Sequence, residues 1–417
     1  MSKVMIISSD CHAGALPHMY NDYMPKSLHN EANKWWAQYA KEMINRAGTF
    51  FDQEMVDEFK SESGAEGIGR YDSNSVAKLD GVSDTQLLDM LNDHSNPFAP
   101  RPGEYDSAIR IKELDEDGVA GEVIFPQMAT FGAGLMQYRN EISEEQNLAG
   151  IQAYNRWLAD LCATTPGRHA GVALINVDNI DVTIQEIKWA KQANLFGGIL
   201  LPTSTGTHPF YHHHRYEPIW QICEELDMPI HTHSGWSPDY GDVESATAMF
   251  ISEVDMWAQR PFKALLWSGA FERHPNLKMV FTETGCAWIL EMIRVLNFKA
   301  DNPLFAHWKK GLTKTPMEYF QQNCYLGASF LPKHEVGYRY DIGIDKLMWG
   351  SDYPHMEGTW PHTMDSLRNT FSEVPEHEIR QMMGIGAADV FGFDLAQMRA
   401  LADKIGPEIS SIKTQAA

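Results

Sequence analysis

The run VMIISSDCH (residues 4–12) opens with a continuous apolar stretch that passes directly into an acidic residue and a histidine. Apolar runs of this length, rich in β-branched residues, are typical of strands that are buried on both faces of a parallel sheet. Seven further runs share this character: EVIFP (122–126), AGVALIN (170–176), GGILLP (197–202), MPIHTH (228–233), LKMVFTE (277–283), NCYLG (323–327) and KLMWGS (346–351). The sequence therefore predicts a parallel sheet with one strand for each run.

Helical periodicity fills the gaps between the predicted strands. The stretch NLAGIQAYNRWLADLCATT precedes strand three, VTIQEIKWAKQAN precedes strand four, and YEPIWQICEELD precedes strand five. Strands that alternate with helices form βαβ units, and eight such units close into a (β/α)8 barrel. We therefore predict an α/β protein with a TIM-barrel fold, in which residues 1–417 form a single domain.

Two segments depart from the strand–helix repeat. A long stretch separates strand one from strand two, so residues 14–101 are predicted to be a large, mainly helical insertion after strand one. Such an insertion lies on the face where barrel enzymes bind their substrates, and it could cap the pocket or be a peripheral decoration. Residues 386–417 are expected to form a closing helical tail.

Composition narrows the classes of partner and location. The net charge of −22 argues against a nucleic-acid partner, which needs clustered Lys and Arg, and it does not favour an anionic membrane surface. No apolar stretch approaches the roughly 18 residues of a membrane span, and the first residues lack the longer apolar region of a secretory signal. The five cysteines are scattered and do not resemble a disulfide framework, so a cytoplasmic location is expected.

The candidate functional side chains lie at the ends of the predicted strands, because the carboxyl ends of barrel strands converge on one mouth. Alternate residues of a strand share a face, which puts Asp10 and His12 on one side of strand one, with Cys11 facing away. The set also includes His231 and His233 on strand five, Glu283 at the end of strand six, and Asp352, Tyr353 and His355 at the end of strand eight. Carboxylates and imidazoles from separate strand ends predict a divalent-metal site.

Each of these residues has a predicted role. Asp10, His12, His233 and Asp352 form the predicted metal-binding core, because they come from three different strand ends. A metal there could lower the pKa of a bound water or polarise an oxygen of a substrate. The predicted catalytic residues are Glu283, Asp352 and His355, and the predicted substrate-binding residues are His231 and Tyr353.

These motifs resemble the amidohydrolase-related branch of the amidohydrolase superfamily, which includes aminocarboxymuconate-semialdehyde decarboxylase-like enzymes. The matching stretches are SSDCHAG (8–14), LDEDGVAGEVIFP (114–126), AYNRWLADLCATTPGRHAGVALI (153–175), RYEPIWQICEELDMPIHTHSG (215–235), FERHPNLKMVFTETGCAWI (271–289) and LMWGSDYPH (347–355). The resemblance implies that Asp10, His12, His233 and Asp352 hold one metal, often zinc or manganese. It also implies hydrolysis or non-oxidative decarboxylation of a cyclic, aromatic or unsaturated acid.

The residue at the end of strand six departs from the resembled pattern. Decarboxylase-like members carry a histidine there, whereas this chain has Glu283 within FTETGCAW. A buried carboxylate with a raised pKa can act as the general base. It can instead become an additional metal ligand, and with His355 nearby the site then has enough ligands for two metals. Fold does not fix chemistry, so a diiron monooxygenase is the alternative hypothesis.

The leading hypothesis is therefore a metal-dependent hydrolase or carboxy-lyase. Its substrate is expected to be a small organic acid, ester or lactone, and its cofactor a divalent metal ion, zinc or manganese rather than iron. Related enzymes are commonly dimers or larger, so a homo-oligomer, a dimer, is expected. A barrel that has lost catalysis and only binds a ligand or partner is disfavoured, because a full ligand set persists at the strand ends.

Overall fold

Eight parallel strands form one sheet in the computed structural model, which describes residues 3–50, 82–93, 99–133, 142–241, 243, 245–329, 331–355 and 357–413. The strands pair in the order of the chain. They are β1 (Ile6–Ala13), β2 (Val119–Pro126), β3 (His169–Leu174), β4 (Gly198–Leu200), β5 (Ile230–His233), β6 (Met279–Thr282), β7 (Cys324–Ser329) and β8 (Leu347–Gly350). Each strand overlaps one of the apolar runs, as predicted.

Backbone hydrogen bonds join the end of the sheet back to its beginning. The amide of Asp352 donates to the carbonyl of Asp10 at 2.9 Å, and the amide of His12 donates to the carbonyl of Tyr353 at 2.6 Å. These bonds connect the segment after β8 to β1, so all the strand ends surround one mouth. The predicted (β/α)8 barrel is confirmed.

Helices connect the strands and cover the barrel. The α-helices of the described residues are His29–Phe50, Asp84–Asn92, Pro102–Tyr105, Ser107–Glu116, Glu144–Ala163, Ile180–Gln192, Glu217–Glu225, Ala246–Ser268, Ala270–Arg273, Trp288–Asp301, Pro316–Asn323, Arg339–Ile342, Thr363–Phe371, Glu376–Arg380, Gly386–Phe391, Leu395–Ile405 and Ile409–Lys413. Several begin at a side-chain cap: the Ser143 hydroxyl accepts from the amide of Gln146, whose side chain accepts from the amide of Ser143. Each such cap stabilises a helix start by about 1 kcal/mol.

The described parts of residues 14–101 pack over the loop that follows β2. The indole of Trp36 donates to the hydroxyl of Thr130 at 3.1 Å, and the hydroxyl of Tyr20 donates to the carbonyl of Met128 at 2.8 Å. Since that loop leaves the carboxyl end of β2, this segment lies on the same side of the barrel as the strand-end side chains. Its role as a cap stays a prediction, and residues 51–81 and 94–98 lie outside the described residues.

The last described residues pack against the start of the chain. Residues 386–413 contain three helices, and the carbonyl of Pro407 accepts from the amide of Val4 at 2.8 Å. Phe393 and Met398 are buried and lie against Gly121 of β2, where an added Cβ would come within 2.9 Å of the Met398 sulfur. None of the helices in the described ranges combines the length and the apolar character needed to cross a lipid bilayer.

Candidate metal centre

The inward-facing residues of β1 place a carboxylate and an imidazole at the mouth of the barrel. His12 Nε2 lies 3.5 Å from Asp10 Oδ1 and 3.3 Å from Asp352 Oδ1. The other ring nitrogen of His12, Nδ1, lies 3.4 Å from the carbonyl of Pro126. Within the described part of the chain, His12 Nε2 is buried and has no hydrogen-bond partner. Its lone pair therefore faces two carboxylates, an arrangement that a cation would stabilise.

His233, the last residue of β5, joins this group from the opposite side. Its Nε2 lies 3.3 Å from Asp10 Oδ1, and its Nδ1 lies 3.1 Å from the carbonyl of Ser234 and 3.2 Å from Glu283 Oε2. The second oxygen of Asp10 accepts a hydrogen bond from the hydroxyl of Ser329, at the end of β7. Such outer contacts orient the ligands of a metal site.

Asp352 follows β8 and is fully buried. Both of its carboxylate oxygens lack a hydrogen-bond partner among the residues that the structure describes. Asp352 and Glu283 have positive φ angles of 56° and 54°, a left-handed conformation that costs a non-glycine residue about 1–3 kcal/mol. Gly350 allows β8 to approach β1, because a Cβ there would lie 2.7 Å from the Cβ of Asp10.

His355 completes the cluster from the loop after β8. Its ring stacks on that of His12 with the centroids 3.9 Å apart. Its Nε2 lies 2.6 Å from the side-chain oxygen of Gln127, and its Nδ1 lies 2.9 Å from Asp352 Oδ1. Gln127 directly follows β2, so the loops after two strands together orient this imidazole.

These side chains come close enough to share an ion. Asp10, His12, His233 and Glu283 each offer a ligand atom, and the four atoms lie within 4.8 Å of one another. The same holds for His12, Asp352 and His355. The structure thus brings together all the residues predicted to bind metal or to act in catalysis. Their nitrogen and oxygen donors fit a divalent cation.

The charges of the cluster also set its pKa values. Burial and the neighbouring His355 lower the pKa of His12 to about 4, so its imidazole is neutral and free to bind a metal. Burial opposes protonation of His233, but the carboxylates of Asp10 and Glu283 outweigh it and raise its pKa to about 9. Burial raises the pKa of Glu283 to about 7, opposed by His233 and reinforced by Asp352. Protons and metal ions therefore compete for this site.

The two residues predicted to bind substrate lie elsewhere. His231 is fully buried one layer below His233, with its Nε2 2.8 Å from the carbonyl of Gly197 and its ring stacked on Phe391. Tyr353 is 1% exposed, and its hydroxyl donates to the carboxylate of Glu113. Neither side chain offers a surface to the mouth, and the substrate-binding role stays a prediction that their burial does not support.

A sequence comparison decides the family. The family model described as amidohydrolase matches residues 94–393. The chain belongs to the amidohydrolase family. The match begins after β1, so the structure, rather than the family model, brings Asp10 and His12 next to His233 and Asp352.

Known proteins similar to this amidohydrolase include decarboxylases. The gamma-resorcylate decarboxylase of Rhodococcus jostii (strain RHA1) is 24% identical over 267 residues, which cover 59% of this chain and 76% of the relative. An amidohydrolase from Mycobacterium avium subsp. paratuberculosis K-10 superposes with a TM-score of 0.62 at 18% identity, covering 94% of this chain and 99% of that chain. A dihydroxybenzoic acid decarboxylase from Polaromonas sp. JS666, solved with manganese and the inhibitor 2-nitroresorcinol, gives a TM-score of 0.57 at 18% identity, covering 77% and 94%.

These findings bear on two predictions. The predicted class, a metal-dependent hydrolase or carboxy-lyase, is confirmed by the family membership. The predicted cofactor is confirmed as a divalent metal ion, without the identity of the metal. The cluster around Asp10 can hold such an ion, and the Polaromonas enzyme contains manganese.

Four residues that support the amidohydrolase site were not predicted. Gln127 directly follows β2, and Ser329 is the last residue of β7. A search for polar side chains at the ends of these two strands would have found both. Glu357 lies two residues beyond His355. Arg110 lies on the helix before β2, where no sequence pattern marks it.

Arg110 holds the backbone of His12, a predicted metal ligand, from inside the protein. The guanidinium is fully buried and makes two parallel bonds to Glu122, at 2.6 and 2.7 Å. It also donates to the carbonyl of His12 at 2.9 Å. Burial would raise the pKa of Glu122, but Arg110 and His169 hold it well below its usual range.

We expect Arg110→Ala to lower the free energy of unfolding by about 3–5 kcal/mol, because the Glu122 carboxylate would stay buried without its partner. Urea unfolding monitored by circular dichroism measures the change. Arg294→Ala is the matched control: this arginine pairs with Glu291 on the surface, where both side chains are more than half exposed, and its loss should cost less than about 1 kcal/mol. Equal losses in the two variants would refute the structural role of Arg110.

Proposed function

We propose that this amidohydrolase catalyses the non-oxidative decarboxylation of a small aromatic or unsaturated acid with a bound divalent metal. The observation that carries the proposal is the buried contact between His12 Nε2 and the Asp352 carboxylate, whose atoms lack hydrogen-bond partners in the described ranges. Asp10 lies 3.5 Å from the same nitrogen and 3.3 Å from His233 Nε2. The similarity to gamma-resorcylate decarboxylase supports the choice of reaction.

In the proposed site, Asp10, His12, His233 and Asp352 would hold the metal. When bound, the metal supplies a positive charge that orients and polarises the oxygen atoms of the substrate. The carboxylate ligands of this site suit manganese, and its imidazole ligands suit zinc. The manganese in the Polaromonas decarboxylase favours manganese here.

Glu283 would supply the proton for the reaction. Its side chain is 20% exposed, in contrast to the buried Asp10 and Asp352, so it can meet a substrate at the mouth. Protonated Glu283 would donate to the ring carbon that carries the carboxylate. A carbon–hydrogen bond forms, the bond to the carboxyl carbon breaks and leaves its electron pair on the ring, and carbon dioxide departs. Solvent then returns a proton to Glu283.

A substrate panel tests the proposed reaction. Protein loaded with Mn²⁺ would be incubated with hydroxybenzoic acids, aryl esters and lactones, and released carbon dioxide and ring products would be quantified. We expect carbon dioxide and decarboxylated product in equal amounts, lost on chelation and restored by Mn²⁺. Ester or lactone cleavage without carbon dioxide would contradict decarboxylation and assign the site to hydrolysis.

A diiron monooxygenase is the second candidate, and the position of Glu283 within ligand reach of two groups of residues favours it. The named relatives are decarboxylases and an amidohydrolase, so they give this chemistry no support. Oxygen uptake by reduced, iron-loaded protein would be its signature. A dimeric state and a cytoplasmic location stay predictions.

A further inference from the structure

Two hydrogen-bond donors beside the end of β3 are buried without a partner. Asn176 lies two residues after β3 and is 2% exposed, and its Nδ2 has no acceptor among the residues that the structure describes. The same holds for Nη1 of Arg215, in the loop after β4. A buried donor without a partner is costly, so native proteins keep one where a ligand or an ordered water accepts from it.

Asp178 brings these two donors to the same part of the molecule. Its amide donates to Asn176 Oδ1 at 2.8 Å, which fixes the carboxamide and leaves Nδ2 as the spare donor. Its carbonyl accepts from Arg215 Nη2 at 2.9 Å, which holds the guanidinium beside the end of β3. The Asp178 carboxylate lies against His208, with Oδ1 3.1 Å from Nε2. Asn176 and Arg215 are therefore both held by the backbone of one residue.

The register of the sheet turns Asn176 towards the mouth of the barrel. Leu174 pairs with Leu200 on β4, and Leu200 pairs with His231 on β5, so these three side chains face the same side. Asn176 follows Leu174 by two residues, with no left-handed residue between them. The predicted metal ligand His233 likewise follows His231 by two. Asn176 and His233 thus face one mouth, two strands or about 10 Å apart.

The charge of Arg215 determines which group suits the two donors. Within the described ranges no carboxylate pairs with this guanidinium, which donates to a carbonyl and lies over the ring of Tyr216, with its Cζ 5.2 Å from the ring centroid. A partly buried cation is stabilised by an anion, and guanidinium and carboxylate form charge-assisted hydrogen bonds. A carboxylate accepts several N–H groups and supplies the compensating charge, so it satisfies both donors.

We propose that Asn176 and Arg215 bind a second carboxylate of the substrate, on the opposite side of the mouth from the carboxylate that is lost. The inference rests on the proposed function, because it takes the metal centre as the place of the first carboxylate. One aromatic ring with two acidic groups reaches from the metal centre to Asn176. Contacts at both ends hold the ring in a single orientation, so the substrate class becomes that of dicarboxylic acids.

Binding of benzene carboxylates tests the inference without relying on turnover. Protein loaded with Mn²⁺ is titrated in a calorimeter with benzoate and with phthalate, isophthalate and terephthalate, whose two carboxylates are adjacent, alternate and opposite on the ring. We expect one of the three dicarboxylates to bind about tenfold more tightly than benzoate or better, because only a dicarboxylate reaches both ends of the site.

Two substitutions assign the preference to its residues. In Asn176→Asp the new carboxylate still accepts from the amide of Asp178, but an acceptor replaces the spare donor. Arg215→Gln removes the positive charge. Each should lower the ratio of dicarboxylate to benzoate affinity to about one, with the metal still bound. Asn369→Asp and Arg294→Gln are the matched controls, since both side chains are exposed on helices, and they should keep the ratio of the unmodified protein.

The possible failures of this test are distinguishable. Equal affinities for benzoate and all three dicarboxylates would overturn the second carboxylate site, assign the two donors to water and leave the proposed function standing. A preference that both substitutions leave unchanged would refute Asn176 and Arg215 as its ligands. If none of the four acids binds to the metal-loaded protein, the proposed function is contradicted as well.

Discussion

Asp352→Asn is expected to deprive the protein of its metal and to lower turnover by about 10³-fold or more. The substitution keeps the size of the side chain but removes the negative charge that faces His12 and His355. Loss of a charged ligand costs several kcal/mol of metal binding and transition-state stabilisation, and about 4 kcal/mol corresponds to that factor in rate. Elemental analysis after gel filtration, with turnover measured on the best substrate of the panel, checks both effects.

Asp403→Asn is the matched control for this experiment. Asp403 is exposed on the helix Leu395–Ile405, remote in sequence from the strand ends that form the metal centre. It should retain the metal content and the activity of the unmodified protein. Asp352→Asn protein that is folded and fully loaded with metal would contradict the assignment of Asp352 as a ligand.

Glu283→Gln is expected to lower turnover by about 10²–10⁴-fold while the metal ion stays bound. Glutamine preserves the shape of the side chain but cannot deliver a proton, and general acid–base groups contribute factors of this size. His12, His233, Asp10 and Asp352 remain to hold the ion, so the metal content should not change. Steady-state kinetics and metal stoichiometry on the same preparation separate the two effects.

The exposed Glu291 offers a control of the same chemistry, since Glu291→Gln removes a carboxylate that is 65% exposed. This control substitution should change neither turnover nor metal content. If Glu283→Gln protein instead loses its metal, Glu283 is a metal ligand and the diiron alternative gains support. Unchanged turnover would exclude Glu283 from proton transfer altogether.

The barrel was predictable because most of the runs that form its strands are mainly apolar. Runs such as AGVALIN and GGILLP contain at most one polar residue, as burial on both faces requires, and all eight runs overlap strands. Asp10, His12 and His233 were predictable for a related reason. They occupy alternate, inward-facing positions at strand ends, where the period of two residues still holds.

The same rule does not bring His231 or Tyr353 to the mouth of the barrel. His231 faces the same side as His233 but lies two residues back along β5, about 7 Å below the mouth, where it contacts the carbonyl of Gly197. Beyond the end of β8 the alternation stops. The left-handed conformation of Asp352 redirects the chain, so Tyr353 points towards Glu113 and away from the mouth.

Long-range partners were not predictable from sequence alone. Gln127 and His355 are 228 residues apart, and Arg110 reaches the carbonyl of His12 across 98 residues. Such pairs depend on the curvature of the barrel and on which loops meet above it. Neither property is encoded in local periodicity.

The position of β1 has a consequence for any shortened form of this protein. The family match begins at residue 94, but β1 lies before it and pairs with β2 on one side and with the segment after β8 on the other. A fragment cut to the matched range would therefore lose two predicted metal ligands, Asp10 and His12, and expose two unpaired strand edges at once. Open edges recruit strands from other molecules, so such a fragment would aggregate instead of forming a smaller enzyme.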